Sequence, residues 1–326
     1  MKVLVAIDNK PSSQATIDAL VKMNWYEGTE IALVTVFPSS LELENTIIFK
    51  NDQRQKTEKT IYHEEMEALA YELRNLLKHC TVSFFARHGD PKTVITELAK
   101  QSNADLVVVG SNCKSTLERL LIGSVSQEVL NTSPCPVIVA KAPCSFAQEE
   151  SPSFKNILLP IDNTVFSVAA VRWLSNFRWP NDTKLIVLAV VEEDTDLEQV
   201  HHSLNNRAQE LSRHFRSGNI LTEIVRGEPQ QTIIEVATSY STDLIVMGSH
   251  GHAGFKKLIL GSVSQSVAHN APCAVAIVRG IAGSDKSFKH TGAFDKVASA
   301  GELSFAGSKG GSSSSVSSVH SMPGGF

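Results

Sequence analysis

The feature that most constrains this chain is an internal duplication. Residues 104–139 (ADLVVVGSNCKSTLERLLIGSVSQEVLNTSPCPVIV) lie over residues 242–277 (TDLIVMGSHGHAGFKKLILGSVSQSVAHNAPCAVAI) with 15 of 36 positions identical. Chance at ordinary composition gives roughly two. The preceding segments match as well, RHGDPKTVITELA at 87–99 against RGEPQQTIIEVA at 226–237. A repeat of about 140 residues is a whole domain, able to bury its own core, and not a solenoid unit. The chain is therefore expected to carry one fold twice. Domain 1 spans 1–141, a polar, proline-bearing linker 142–153, and domain 2 154–280. The remainder, 281–326, is rich in Gly and Ser, has little to bury, and reads as a disordered tail.

Apolar periodicity sets the elements inside each copy. Short apolar runs predict strands at 2–7, 30–37, 81–87, 105–109 and 136–140, and again at 156–161, 184–191, 220–225, 244–247 and 274–278. Between them, amphipathic spacing and start signals predict helices at 11–23, 58–78, 91–101, 165–177, 195–217 and 229–239, with a further helix opening at each GSVS run. Residues 38–57 are polar and read as a loop. Strands alternating with helices argue for an α/β fold with a mostly parallel sheet.

The stretch after the strand at 244–247 carries the chemistry. Gly248, Gly251 and Gly261 follow the spacing G-x2-G-x9-G-S, and Ser262, Val263 and Ser264 lead into a helix. Glycine permits φ > 0 and close approach of backbone amides to a ligand. Serine at a helix start stands beside unpaired N–H groups and the positive end of the helix dipole. Together these make a phosphate cradle, although a plain turn and N-cap would use the same residues.

Strand, glycine loop, GSVS helix start and a final strand resemble the ATP-binding class of the universal stress protein family over about residues 1–280. The resemblance implies a doubly wound, five-stranded parallel sheet of order 3-2-1-4-5 in each domain, of the adenine nucleotide alpha hydrolase-like kind. In such a sheet ligand binds outside the carboxyl ends of strands 1 and 4, where the order reverses. Asp8 and Asp162 stand at the first of those ends, Gly110 and Gly248 at the second. In domain 2 the resemblance implies that Asp162, following Pro160, meets the adenosine half and that Ala189 or Val190 borders adenine. Gly248, His250 and Gly251 then line the ribose-phosphate path, and Gly261, Ser262, Val263 and Ser264 hold phosphates. The counterparts in domain 1 are Asp8, Val36, Gly110, Asn112, Gly123, Ser124, Val125 and Ser126. Cys113 occupies the place of the second glycine there, so domain 2 is expected to be the stronger site. The cofactor implied is ATP, with Mg or Mn on its phosphates.

Other residues carry less. His250 and His252 have no third ligand nearby and are read as loop residues, not a zinc pair. Lys256 and Lys257 read as solvated. Cys113 is a candidate redox thiol near a helix start, whereas Cys135 and Cys273 read as buried small hydrophobes. Asp8 and Asp162 could also be turn formers. Composition excludes several classes. A net charge of −4 offers no footprint for nucleic acid. No apolar run reaches the roughly 18 residues of a membrane span. The chain opens directly on a strand, and its five cysteines lack metal spacing, so a cytoplasmic, reduced protein is expected. There is no GxxxxGK[ST], evident Walker acid or arginine finger for phosphoryl transfer. The favoured reading is a nucleotide-binding stress or signalling module with a protein partner that the sequence does not name. The alternatives are a slow ATPase or other adenine-nucleotide enzyme, and a nucleotide-free dimerisation scaffold. The apolar final strands of the two domains are expected to pair edge to edge as an internal pseudo-dimer, with a homodimer as a further possibility.

Overall fold

The computed structural model describes residues 1–8, 11–37, 58–111, 122–141, 152–216, 218–251 and 260–279. Domain 1 runs β1 (Lys2–Ala6), α1 (Pro11–Lys22), β2 (Thr29–Phe37), α2 (Glu58–Leu76), β3 (Cys80–His88), α3 (Pro91–Gln101), β4 (Leu106–Gly110), α4 (Ser124–Thr132) and β5 (Val137–Ala140). Domain 2 repeats it with β6 (Asn156–Pro160), α5 (Val165–Ser175), β7 (Lys184–Val191), α6 (Leu197–Leu211), β8 (Ile220–Arg226), α7 (Pro229–Ser239), β9 (Leu244–Gly248), α8 (Ser262–Asn270) and β10 (Ala274–Val278). The expected loop at 38–57 and the tail at 281–326 lie outside the described residues.

Local signals explain most boundaries. Asp90 and Glu228 cap α3 and α7, each followed by proline at the first helical position, where its missing N–H costs nothing. The helix expected over 195–217 is shorter at both ends. Asp196 accepts from the amides of Glu198 and Gln199, which fixes the start at Leu197, and the chain leaves the helix at Ser212. The central strands are buried on both faces: every residue of β9 and β10 is buried.

The strands form one ten-stranded sheet of order β3-β2-β1-β4-β5-β10-β9-β6-β7-β8. Each half has the expected 3-2-1-4-5 order with parallel pairing. The halves meet where β5 and β10 pair antiparallel, Val139 opposite Val275, Ile138 opposite Ala276 and Val137 opposite Ile277. The expected edge-to-edge contact is thus made within the chain. It is reinforced reciprocally. Lys141, just beyond β5, donates from Nζ to the carbonyls of His269 and Ala271 at 2.8 Å each, at the end of α8. Arg279, just beyond β10, donates to the carbonyls of Leu130 and Asn131 in α4. A cation at a helix C-terminus satisfies orphan carbonyls and opposes the dipole. His269 also hydrogen-bonds Gln127 across the junction.

Both faces of the sheet carry a core that crosses the junction. One joins α1 and α2 to α5 and α6, through Leu20, Leu73, Leu174 and Leu204; the other joins α3 and α4 to α7 and α8, through Ala99, Val129, Ala237 and Val267. At the rim Trp25 meets Phe177 edge-on at 6.1 Å, and Arg178 lies over Tyr26 at 5.6 Å.

The entry to domain 2 is fastened to domain 1. The amide of Phe154 donates to the carbonyl of Lys22, and the next two amides, Lys155 and Asn156, donate to the Asp243 carboxylate at 2.7 and 3.2 Å. Burial pushes Asp243 up to about 6, against those amides and the charge of Lys22. A carboxyl raised above its unfolded value of about 3.9 adds stability in full below that value and loses it as pH climbs through 6, an effect of at most about 3 kcal/mol. Wild type is therefore expected to lose stability relative to Asp243→Asn between pH 4.5 and 7.5 in urea titrations. Parallel pH profiles would contradict this.

Candidate functional site

The crevice of domain 2 forms where β6 and β9 end side by side and their chains leave on opposite faces of the sheet. After β6 the chain turns at Asp162. Its Oδ1 accepts from the Thr164 amide at 3.0 Å, from the Thr164 hydroxyl at 2.5 Å and from the Ser167 hydroxyl. Ser167 Oγ in turn accepts from the Asp162 amide at 2.9 Å, and Thr164 caps α5 through the Ser167 amide. The turn-former reading is thus correct for one oxygen. Oδ2 faces across the crevice, 3.4 Å from where a Cβ on Gly251 would stand. Domain 1 repeats the arrangement: the Asp8 amide donates to Ser13 Oγ at 2.8 Å and that hydroxyl donates to Asp8 Oδ1 at 2.9 Å. Thr164 and Ser167 were not singled out in the sequence, yet the shared D-x4-S spacing (Asp8 and Ser13, Asp162 and Ser167) is visible there.

The opposite wall starts at Gly248. A Cβ at this position would stand 2.7 Å from the backbone carbon of Phe166. The glycine is required because α5 begins directly against the strand. Ser249 and His250 follow, both buried. Ser249 Oγ and His250 Nδ1 are 3.0 Å apart, and the imidazole lies 4.8 Å from the Phe166 ring. His250 Nε2 is buried with no hydrogen-bond partner among the described residues. The loop closes at its base, where the Gly261 amide donates to the Ser249 carbonyl at 2.9 Å. A Cβ on Gly261 would approach the His250 Cα to 3.2 Å, so this glycine too serves close packing.

Three expectations are corrected here. None of Gly248, Gly251 and Gly261 has positive φ; among the described glycines that conformation belongs to Gly28, Gly89, Gly218 and Gly227. The φ > 0 argument for Gly251 against Cys113 therefore fails, and what remains is the contact that any side chain there would make with Asp162 Oδ2, 3.4 Å from its Cβ. Second, the serines are not N-caps. Gly261 is the N-cap of α8 (φ −64°, ψ 152°) and Gly123 that of α4 (φ −66°, ψ 155°), neither with a capping side chain. Ser262 and Ser124 are the first helical residues and exposed. Third, Ser264 is no free donor. Its buried hydroxyl donates to the Gly248 carbonyl at 2.9 Å, as Ser126 does to Gly110 at 2.6 Å, tying each helix to the preceding strand.

What the arrangement offers is a helix N-terminus whose first amides, at Ser262, Val263 and Ser264, receive no side-chain cap, a favourable place for an anion. Val125 and Val263 rest on the core beneath each helix start. Beyond it β7 runs past its last pairing with β6, Leu188 with Pro160, so the β6-side edge of Ala189, Val190 and Val191 extends past the end of β6. Val36 occupies the matching place on β2. Pro160 is the last residue of β6 and buried. Asn112, Cys113, Cys144, His252, Lys256 and Lys257 lie outside the described residues. Among the described residues no group of three or more His, Cys, Asp or Glu could hold a metal ion. Cys135 is buried, and burial pushes its thiol up to about 12, consistent with an inert core residue.

The universal stress protein family model matches residues 1–141 and again 153–279. The chain belongs to the universal stress protein family. A universal stress protein of Mycobacterium tuberculosis strain H37Rv is 26% identical over 201 residues, 58% of this chain; the chain thus spans 66% of that relative's length. One from Methanocaldococcus jannaschii is 29% identical over 140 residues, 39% of this chain and 82% of that protein. The crystal structure of a universal stress protein from Archaeoglobus fulgidus matches with a TM-score of 0.64 at 20% identity, over 86% of this chain and 98% of that one. That likeness bears on the fold, which is the tandem doubly wound α/β arrangement. No described helix is long and apolar enough to cross a membrane.

The contact at Gly248 gives a direct test. Gly248→Ala places a methyl group inside the Phe166 backbone and should destabilise the protein by about 1–3 kcal/mol, the usual cost of overpacking. Thermal unfolding measures it, and an unchanged midpoint would mean that α5 is free to move away.

Proposed function

We propose that this protein is an ATP-binding module of a stress or signalling response, in which nucleotide held in the domain 2 crevice sets a conformation or a surface for a protein partner in the cytoplasm. The observation that carries the reading is the uncapped start of α8 opposite the Asp162 carboxylate, with the β6-side edge of β7 beyond the end of β6. The first supplies amides for phosphates and the second an acceptor for ribose hydroxyls. The third supplies backbone groups for the adenine edge. His250 Nε2, buried without a partner among the described residues, adds one more polar group beside the phosphate path. The residues fit a nucleotide in this way. Mg or Mn would arrive on its phosphates, since the described residues offer no metal cluster of their own. Domain 2 is the stronger site: Gly251 brings no side chain against the Asp162 carboxylate, where the domain 1 sequence has Cys113.

Two measurements test this reading. Denaturing the purified full chain should release material with excess absorbance at 260 nm, and equilibrium dialysis should find one tight ATP site per chain, joined by a stronger second in Cys113→Gly. Two equal wild-type sites, indifferent to Cys113→Gly, would refute the asymmetry; no ATP binding at all would leave the scaffold reading standing.

The serines separate binding from folding. Ser262→Ala removes a hydroxyl at the phosphate end and should weaken ATP about ten- to hundredfold, the value of a hydrogen bond to a charged group, with less effect on adenosine. Ser264→Ala removes the tie to Gly248 and should cost about 1–2 kcal/mol in thermal stability instead. Equal loss of ATP and adenosine in Ser262→Ala would show that this serine also acts on folding.

A further inference from the structure

The two-fold at the junction gives most features a counterpart, and one place breaks the rule. Between α1 and the starts of β9 and β10 lies a cavity of about 220 Å³. Ala15, Ala19, Phe154 and Pro272 form apolar walls, and Asp18, Lys22, Lys141 and Asp243 bring charge to its rim. It sits at the amino ends of β9 and β10, the opposite end of domain 2 from the nucleotide crevice.

The counterpart of this cavity can be read position by position. Helices α1 and α5 align at an offset of 154, so that Ser13 matches Ser167, Leu20 matches Leu174 and Trp25 matches Trp179. The last two indoles even make the same hydrogen bond, to the carbonyls of Leu20 and Leu174 at 2.8 and 3.0 Å. Across the junction, at an offset of 138, Asp243 matches Asp105, Cys273 matches Cys135 and Lys141 matches Arg279. Asp105 and Arg279 both act electrostatically on Cys135, so the three counterparts stand together, as Asp243, Lys141 and Cys273 do around the cavity. At the offset of 154, Ala19 corresponds to Trp173. Trp173 is 4% exposed. One copy of the junction buries an indole; the other has a methyl group and open space.

We propose that the cavity beside Ala19 is a binding site for a small planar aromatic molecule of indole size, with a hydrogen-bond donor on its rim. Size agrees: an apolar cavity of about 150 Å³ takes up benzene, so the larger one here accepts a fused bicycle. The walls agree as well, with alanine methyls and one aromatic ring. The donor is assigned to Asp243. This carboxylate is half-buried between the domains and accepts from the backbone amides of Lys155 and Asn156 and from its own amide, with no side-chain donor among the described residues. Burial lifts it to about 6 in spite of them, so a further donor would lower the cost of its charge. A molecule seated here touches α1 of domain 1 and the base of domain 2 together, and so stabilises the junction.

Indole is the probe. Calorimetric titration of the full chain should give one site per chain and a raised midpoint of thermal unfolding. In Ala19→Trp an indole grown from the cavity wall is expected to fill the space. Indole binding should fall about tenfold or more, with the unfolding midpoint of the ligand-free protein maintained or raised. If Ala19→Trp loses the circular dichroism of the wild type, Ala19→Met fills the same space under the same criterion. ATP binding, measured in parallel, should be unchanged, which keeps this test separate from that of the crevice. Absence of indole binding to wild type, or an affinity that the filling substitution leaves unaltered, would overturn the proposal.

Discussion

The antiparallel pairing of β5 with β10 is the contact on which the rest of the molecule depends. A five-stranded parallel sheet of this order ends on its last strand, and in both halves that strand is wholly apolar: VIVA in one, AVAIV in the other. Exposed, each would be a template for aggregation. Joined, they place the most apolar strands at the centre of a ten-stranded sheet and leave β3 and β8, with their exposed polar residues, at the outer edges. The pairing also brings the carboxyl end of each last strand to the end of the other domain's last helix. Lys141 and Arg279 can then cap α8 and α4 reciprocally. Two cations inside an interface would be costly alone; here each meets carbonyls that a helix end leaves unsatisfied.

The same geometry sets the functional ends. Because strands are parallel within a half and antiparallel across the junction, the two crevices open at opposite ends of the common sheet. Each lies between the chain leaving the first strand and the chain leaving the fourth, and in domain 2 the two are held together by close packing. The glycines of domain 2 are needed where the loop and its neighbours touch: Gly248 against Phe166, Gly261 against His250. The buried serines tie the helix starts to the strands below them. The amides at the start of α8, proposed above to receive phosphate, are held in place by this scaffold, which is how a site avoids an ordering cost on binding.

Duplication followed by divergence accounts for the differences between the halves. Where both copies keep a residue type, as with the aspartate and serine after the first strand or the serine of GSVS that binds the strand carbonyl, the contact is the same in each. Where they differ, the site differs: Gly251 stands in one copy where the other has Cys113, and Trp173 stands where the other has Ala19.

The sequence by itself determined the domain count, the element order and the ends of the sheet at which the candidate residues lie. Those follow from self-similarity and from short apolar runs between helical periods, which are local properties of the chain. The parallel order within each half came from family resemblance, since no local pattern encodes which strands become neighbours. Only the tertiary structure decided what the conserved-looking loop residues do. Glycine reads the same in a sequence whether it relieves a backbone strain or admits a neighbouring helix, and the distance from Gly248 to Phe166 distinguishes the two. Serine reads the same whether its hydroxyl faces a ligand or a carbonyl, and Ser262 and Ser264 divide on that point because successive residues of a helix face about 100° apart. Lys141, Arg279 and Asp243 recur in register between the copies, Asp243 with Asp105 and Lys141 with Arg279, but nothing local to them shows what they do. Their roles arise from contacts between residues more than 80 positions apart, which exist only once the two halves have docked.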